Sequence, residues 1–295
     1  MNTYKNKVAV VTGAGGGIGY GLAHACAKEG MKLVLTAFHS ERLEAHAEKL
    51  RKKFGIEVVT ITGDVSVEAD IKKIADFAME NFGRVDMLFN NAGIHFHKSF
   101  ELLTDNDWEF MLRCNFWSVI YGMRTFLPLI RKNKEGGNII NIAAMGSLFG
   151  SPTMTHYTAT KFANLGLSQA VLMEERIYHG DKVNIHVVMP AMIASNLMNA
   201  AAVIRKDQGR YINATEEQTD LDKQTEQMFI KGVDWNTPNR PDSTLEPEVG
   251  GDVVMQQVKE GKNFIFTHPE VAPIAEKQGK VYASGYLPKG MPFED

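Results

Sequence analysis

The chain has 295 residues, 44% of them hydrophobic and 23% charged, enough apolar material for a packed core in one large domain. A formal net charge of -3 argues against a surface built for a polyanion, so nucleic acid is not an expected partner. The two cysteines, Cys26 and Cys114, fall in helix-like stretches without Cys-x-x-Cys or metal-ligand spacing, which leaves a disulfide framework or a metal site without support and suits a reduced, cytoplasmic setting.

No apolar run approaches the ~18 residues needed to cross a bilayer. Met1 to Lys7 leads into an apolar segment without a cleavage signal, so neither membrane insertion nor export is expected. Val8 to Thr12 is a β-branched run that predicts a strand, followed by Gly13-Ala14-Gly15-Gly16-Gly17-Ile18-Gly19 and an amphipathic segment through Lys28. In the order strand, glycine turn, helix, the glycines let the backbone approach a pyrophosphate and the helix start offers unpaired N–H groups. Strands are then expected at Lys32 to Ala37, Glu57 to Thr62, Asp86 to Phe89, Asn138 to Ala143 and Val183 to Met189. Helices are expected at Glu41 to Lys53 with Ser40 as N-cap, Val67 to Phe82, Asp107 to about Lys132, Tyr157 to about Tyr178 and Pro247 to Glu260. The alternation predicts an α/β fold, a doubly wound parallel sheet flanked by helices. Residues 270–295, with Gly279, Gly285, Pro288, Gly290 and Pro292, show no periodicity and read as an irregular C-terminal tail.

Tyr157 and Lys161 stand four residues apart, which puts them on one helix face, one turn apart. A free tyrosine ionises near pH ~10, and a neighbouring ammonium favours the phenolate, bringing the group into range as a general acid or base.

In Thr12-Gly13-(x3)-Gly17-Ile18-Gly19, Asp64, Asn90-Asn91-Ala92-Gly93, Asn115, Tyr157-(x3)-Lys161 and Pro190 the chain resembles the short-chain dehydrogenase/reductase family, in order and spacing, from about Lys5 to Leu197. The resemblance implies a single Rossmann domain over 1–295 with a helical substrate lid inserted at 195–240. It implies NAD(P)-dependent interconversion of a secondary alcohol and a ketone. Gly13, Gly15, Gly17, Ile18 and Gly19 would receive the cofactor's pyrophosphate region, Asp64 and Val65 its adenine, and Asn91, Ala92 and Gly93 its ribose, with Pro190 and Ile193 also on its path. Lys161 would bond the nicotinamide ribose and acidify Tyr157, the proton carrier, while Asn115 would hold a water behind Lys161. A homodimer or homotetramer is the family default.

The family's catalytic serine precedes the tyrosine by thirteen residues, and Ala144 stands there. Loss of one positioned donor to the substrate oxygen predicts a rate loss on the order of 10²- to 10³-fold. A Ser-to-Ala replacement made to trap a complex, natural degeneration or a substitute donor would each leave this pattern, and Ser147 is the nearest substitute at a three-residue offset. At the end of the second strand Ala37-Phe38-His39 has no carboxylate, and His39, Ser40 and Arg42 could meet a 2'-phosphate, so NADP(H) is favoured with NAD(H) possible. Met145, Leu148, Phe149, Met154, Met192, Leu197 and Met198 are expected to line an apolar pocket for a bulky steroid-like, polycyclic or aryl substrate. His95, His97 and His156 could bond its polar groups. Two other readings remain open: a cofactor-binding protein without turnover, and an epimerase or dehydratase on the same fold.

Overall fold

The computed structural model describes residues 4–195, 197, 244–269 and 272–284. Among them seven strands form one parallel sheet: β1 (Val8–Thr12), β2 (Lys32–Ala37), β3 (Val58–Thr62), β4 (Met87–Asn90), β5 (Gly137–Ile142), β6 (Val183–Met189) and β7 (Phe264–Phe266), in spatial order β3-β2-β1-β4-β5-β6-β7. All five residues of β1 are buried, as its Val-rich run requires of a strand covered on both faces. The strand order reverses between β1 and β4, and a crevice at the carboxyl ends of these two strands is where such sheets place ligands.

Helices cover both faces. On one side α1 (Gly17–Lys28), α2 (Ser40–Phe54) and α7 (Pro247–Lys259) close a core built on Val11, Leu22, Leu33, Leu35 and Phe89. On the other, α3 (Glu68–Phe82), α5 (Ser118–Arg131) and α6 (Thr155–His179) enclose Val10, Ile74, Leu88, Phe126 and Ile139. No helix among the described residues is long and apolar enough to cross a membrane.

The segment expected as one helix from residue 107 to 132 is broken into three. Helix α4 (Asp105–Leu112) starts earlier because Thr104 caps it: the Asp107 amide donates to the Thr104 hydroxyl, and the Thr104 amide donates back to the Asp107 carboxylate at 3.0 Å. A π turn over Arg113–Trp117 then carries Asn115 before α5 begins. Ser40 is the first residue of α2 and does not cap it; His39 holds the cap position, and its side chain makes no capping hydrogen bond to the helix. The tail is also corrected in part, since Ala272–Ser284 forms helix α8, whose Ile274 and Ala275 pack against Leu148, Phe149, Val187 and Met189. Its Ala, Glu, Lys and Gln content supports a helix despite Gly279. Of the expected lid, residues 196 and 198–240 lie outside the described residues.

Helices α1 and α7 meet backbone to backbone. A Cβ on Gly21 would stand 1.7 Å from the Pro247 carbonyl oxygen, a distance no relaxation of side chains relieves. Gly166, in α6, has nothing within 4 Å of the same position. Gly21→Ala is therefore expected to destabilise the protein by about 1–3 kcal/mol through overpacking. Gly166→Ala is expected to be neutral or to stabilise by up to about 1 kcal/mol. Urea unfolding midpoints of the two variants check the contrast.

Candidate active site

Thr12 and Asn91 join the ends of β1 and β4. The Thr12 hydroxyl donates to the Phe89 carbonyl at 3.0 Å and accepts from the Asn91 and Ala92 amides at 2.9 and 3.1 Å. The Asn91 side-chain amide donates to the Thr12 carbonyl at 2.8 Å, fixing the first residue of the glycine turn's approach. Beyond it Gly13 adopts φ 69°, and a Cβ on Gly19 would lie 2.2 Å from the Gly13 carbonyl oxygen, so the turn folds flat against α1 only with glycine there. No side chain caps the first turn of α1, whose N–H groups face the same crevice.

The crevice is a cavity of about 1290 Å³. That exceeds the ~300–1,000 Å³ of an ordinary small-molecule pocket and suits a dinucleotide with a second ligand. Its wall carries Gly13, Gly15, Gly17, Ile18 and Gly19 from the turn, and Phe38, His39 and Arg42 from the end of β2 and the start of α2. It also carries Asp64 and Val65 after β3, Asn91, Ala92 and Gly93 after β4, Pro190 and Ile193 after β6, and Ala144, Tyr157 and Lys161 at the far end. Asp64 is held in place, accepting from the Ser66 amide and hydroxyl at 2.9 and 2.6 Å. Asn115 sits behind the wall. Its side chain accepts from the Ile94 amide at 2.8 Å and donates to the Ile94 carbonyl at 2.9 Å, while its own carbonyl accepts from Asn164 at 2.9 Å.

Three features define the reacting end. First, Tyr157 and Lys161 are both buried, with the Lys161 ammonium 5.5 Å from the centre of the Tyr157 ring and donating to the Ile142 carbonyl at 2.9 Å. Burial pushes the Tyr157 phenol up and pulls the Lys161 amine down from 10.5 to about 8, so the protein's own charges do not acidify the phenol. Second, Ser147 cannot replace a hydroxyl at 144: its Oγ donates to the Lys161 carbonyl at 2.9 Å and lies off the cavity wall. Third, among the described residues the methionine wall is not assembled. Leu197 lines the cavity, whereas Met145 packs with Leu148 and Phe149 against Val187 and Met189, because the 3-10 turn Met145–Ser147 directs this stretch beneath β6. Met154 packs beside Tyr157 and Ala144 behind the wall, Met192 is likewise off it, and Met198 lies outside the described residues.

His95, His97 and His156, read from the sequence as candidates to bond polar groups of the substrate, are buried, and His95 packs edge-on against Tyr157 with ring centres 4.6 Å apart. Sequence reasoning missed Ile94, Cys114, Glu246, Pro247 and Glu248 on the cavity wall. For the last three, the only available signal was the proline that opens α7, since it is the close packing of α7 on α1 that brings them there.

Comparison with known proteins places this geometry. A family model described as short chain dehydrogenase matches residues 7–205. A CLA biosynthesis dehydrogenase/reductase of Lactiplantibacillus plantarum is 30% identical over 281 residues, 95% of this chain and 94% of its own.

The chain belongs to the short-chain dehydrogenase family.

Another relative of this short-chain dehydrogenase, 11-beta-hydroxysteroid dehydrogenase A of Sesamum indicum, is 34% identical over 223 residues, 75% of this chain and 60% of its own. The crystal structure of a short chain dehydrogenase/reductase from Burkholderia phymatum in complex with NAD superposes with a TM-score of 0.87 at 27% identity, covering 99% of each chain. Those comparisons agree with the seven-stranded sheet described above.

The buried amine of this short-chain dehydrogenase has a thermodynamic signature. Folded, Lys161 loses its proton near pH 8; unfolded, near 10.5, so between these values the unfolded chain binds more protons and stability rises with pH. The cost of burying the ammonium is felt in full below pH 8. The urea-midpoint difference between the wild type and Lys161→Met is expected to move in favour of the wild type as pH rises from about 7.5 to about 9.5. A difference that stays flat across that range would show the amine to be better solvated than its position implies.

Proposed function

We propose that this chain is a nicotinamide-dependent oxidoreductase that interconverts a secondary alcohol and a ketone on a bulky hydrophobic substrate, steroid-like, polycyclic or aryl. The observation that carries the reading is the Tyr157 phenol: it lines the same cavity as the glycine turn and its hydroxyl bonds to no described residue. The turn and the uncapped start of α1 fit a diphosphate, and Asp64, Val65 and Asn91 to Gly93 fit the remaining length of a dinucleotide. A bound nicotinamide would supply or accept the hydride. Tyr157 holds the proton that the substrate oxygen takes up, and Lys161, anchored by the Ile142 carbonyl, fixes the geometry beside it. The apolar groups around the reacting end, Ile94, Ala144 and Leu197, support a hydrophobic ligand, as do the hydroxysteroid relatives.

Ala144 offers the substrate oxygen no hydroxyl, so turnover in this chain is read as lower than Ala144→Ser would show. The same residue favours a second reading, cofactor binding without turnover. A panel of hydrophobic ketones and alcohols assayed with both nicotinamide cofactors separates the two. Turnover is expected, and Tyr157→Phe is expected to lower kcat by about 10³-fold or more with cofactor affinity retained. Bound cofactor with no turnover on any substrate would support the second reading instead. Exposed Met173, Ile177 and Tyr178 on α6, with Trp117 on the π turn, suit burial in a homodimer or homotetramer, and the setting is read as cytoplasmic.

For the cofactor, we favour NADP(H). His39, Ser40 and Arg42 line the cavity at the start of α2, which no side chain caps, and Ala37 and Phe38 bring no carboxylate. NAD(H) has its own support in the Burkholderia phymatum complex and in Glu41, which lines the same end. Dissociation constants from nicotinamide fluorescence are expected to be lower for NADPH than for NADH. Arg42→Ala is expected to weaken NADPH by about tenfold and to leave NADH unchanged. Tighter binding of NADH to the wild type would reverse the assignment.

A further inference from the structure

After β6 the chain crosses the cavity as a strip from Pro190 to Ser195, which runs from the reacting end to the glycine turn. Pro190, Ala191, Ile193, Ala194 and Ser195 line the cavity. At the reacting end the Pro190 carbonyl accepts from the Met145 amide at 2.9 Å, which sets it beside Ala144. At the other end a Cβ on Gly17 would stand 2.6 Å from the Ser195 Cβ. In between, the Met192 carbonyl accepts from the Leu245 amide and the Ala194 amide donates to the Leu245 carbonyl, both at 3.0 Å, so this part is paired with the residues that lead into α7.

Those ties are backbone to backbone, and one more is made by a side chain. In the sheet Met189 is in register with Phe266, which brings Thr267 level with Pro190. The Ala191 amide donates to the Thr267 hydroxyl at 3.2 Å. An amide N–H can only donate, so the hydroxyl keeps its own proton for His268 Nδ1, 2.8 Å away. Thr267 and His268 are both buried, and the hydroxyl is held in one orientation, accepting from Ala191 and donating to His268. The Pro190 carbonyl and the Ala191 N–H belong to one planar trans peptide and point to opposite sides of it. Met145 holds one edge of that plane and Thr267 the other. Ala191 also packs into the apolar cluster that takes Phe266 from β7 and Ile274 and Ala275 from α8.

We propose that Thr267 is a positioning residue for the nicotinamide end of the cofactor: through the Ala191 amide it fixes the peptide plane against which that end lies. The proposal rests on the cofactor placement in the reading above and adds to it a residue that stands off the cavity wall. With the diphosphate at the glycine turn and the proton carrier at Tyr157, the nicotinamide belongs at the end of the strip beside Ala144, which is the Pro190–Ala191 end. Without the Thr267 hydroxyl the plane keeps one of its two ties and can turn about it. The glycine turn, Asp64 and Val65, which meet the rest of the dinucleotide, do not depend on that tie. A misplacement of about 1 Å between hydride donor and acceptor costs on the order of 10²-fold in rate, so a partial turn of this peptide is felt at the nicotinamide and nowhere else along the cofactor.

The test uses the full chain and compares the tighter-binding nicotinamide cofactor with ADP-ribose or its 2'-phosphate, whichever matches it and lacks only the nicotinamide. Thr267→Val keeps the branched shape and removes the acceptor. Its Kd for the cofactor is expected to rise by about fivefold or more with the fragment's Kd within about twofold of wild type, and kcat on a ketone from the panel to fall by about tenfold. Thr267→Ser restores the hydroxyl and is expected to return each value to within about twofold of wild type. Thermal melting reports folding separately; where Thr267→Val melts early, Thr267→Cys, with only a weak acceptor, carries the same comparison. In a folded variant, cofactor and fragment affinities that change by the same factor, or not at all, overturn the assignment of Thr267 and leave the oxidoreductase reading standing. A wild type that binds cofactor but turns over nothing overturns the oxidoreductase reading, and the ratio of the two affinities still decides the role of Thr267. A wild type that binds neither nicotinamide cofactor overturns both.

Discussion

Lys161 carries its amine out of water to a place where the Ile142 carbonyl, 2.9 Å away, is its hydrogen-bonding acceptor, and this desolvation brings its pKa down to about 8. Tyr157, one helical turn before it, is buried with it and pushed the opposite way. A neutral phenol and an amine still mostly protonated at pH 7, both buried in the cavity wall, tolerate little misplacement because burial weakens screening. The surrounding backbone is correspondingly tight: a Cβ on Gly93 would stand 3.0 Å from Asn115 Oδ1 and 3.8 Å from Lys161 Nζ.

That tightness is built from buried amides. Asn90 donates to Asn141 at 2.8 Å, Asn141 to the Ser168 hydroxyl at 2.9 Å, and Ser168 to the Asn164 carbonyl at 2.6 Å, while the Asn164 amide reaches the Asn115 carbonyl. The chain of bonds runs from the sheet through α6 to the π turn. A regular α-helix would bond the Asn115 carbonyl four residues ahead; the wider π turn frees it to accept from α6, while its side chain grips Ile94. The turn that interrupts the expected long helix is therefore the element that joins α6 to the loop carrying His95.

What could be read from the sequence was local. Strand runs such as Val8–Thr12, the glycine turn and the pairing of Tyr157 with Lys161 are periodic or positional signals confined to a few residues, and the sheet and cavity wall contain them. Asn115 could be read as a helix-kink residue, but its partners Asn164 and Ile94 lie far along the chain and leave no local signal for a π turn. Met145 and His95 were ranked by residue type, which says nothing of direction: a 3-10 turn sends the methionine under β6, and the pinned loop sends the histidine onto Tyr157. Helix α8 was missed for a similar reason, since the apolar face that Ile274 and Ala275 cover is assembled from β6 and the loop after β5.

The corrected charge state of the phenol bears on direction. Burial holds the Tyr157 phenol above its ordinary value and leaves it protonated at neutrality. A protonated phenol is ready to act as an acid toward an oxygen gaining negative charge, whereas alcohol oxidation asks it to begin as a base. On the oxidoreductase reading proposed above, burial thus suits Tyr157 to the acid role in carbonyl reduction.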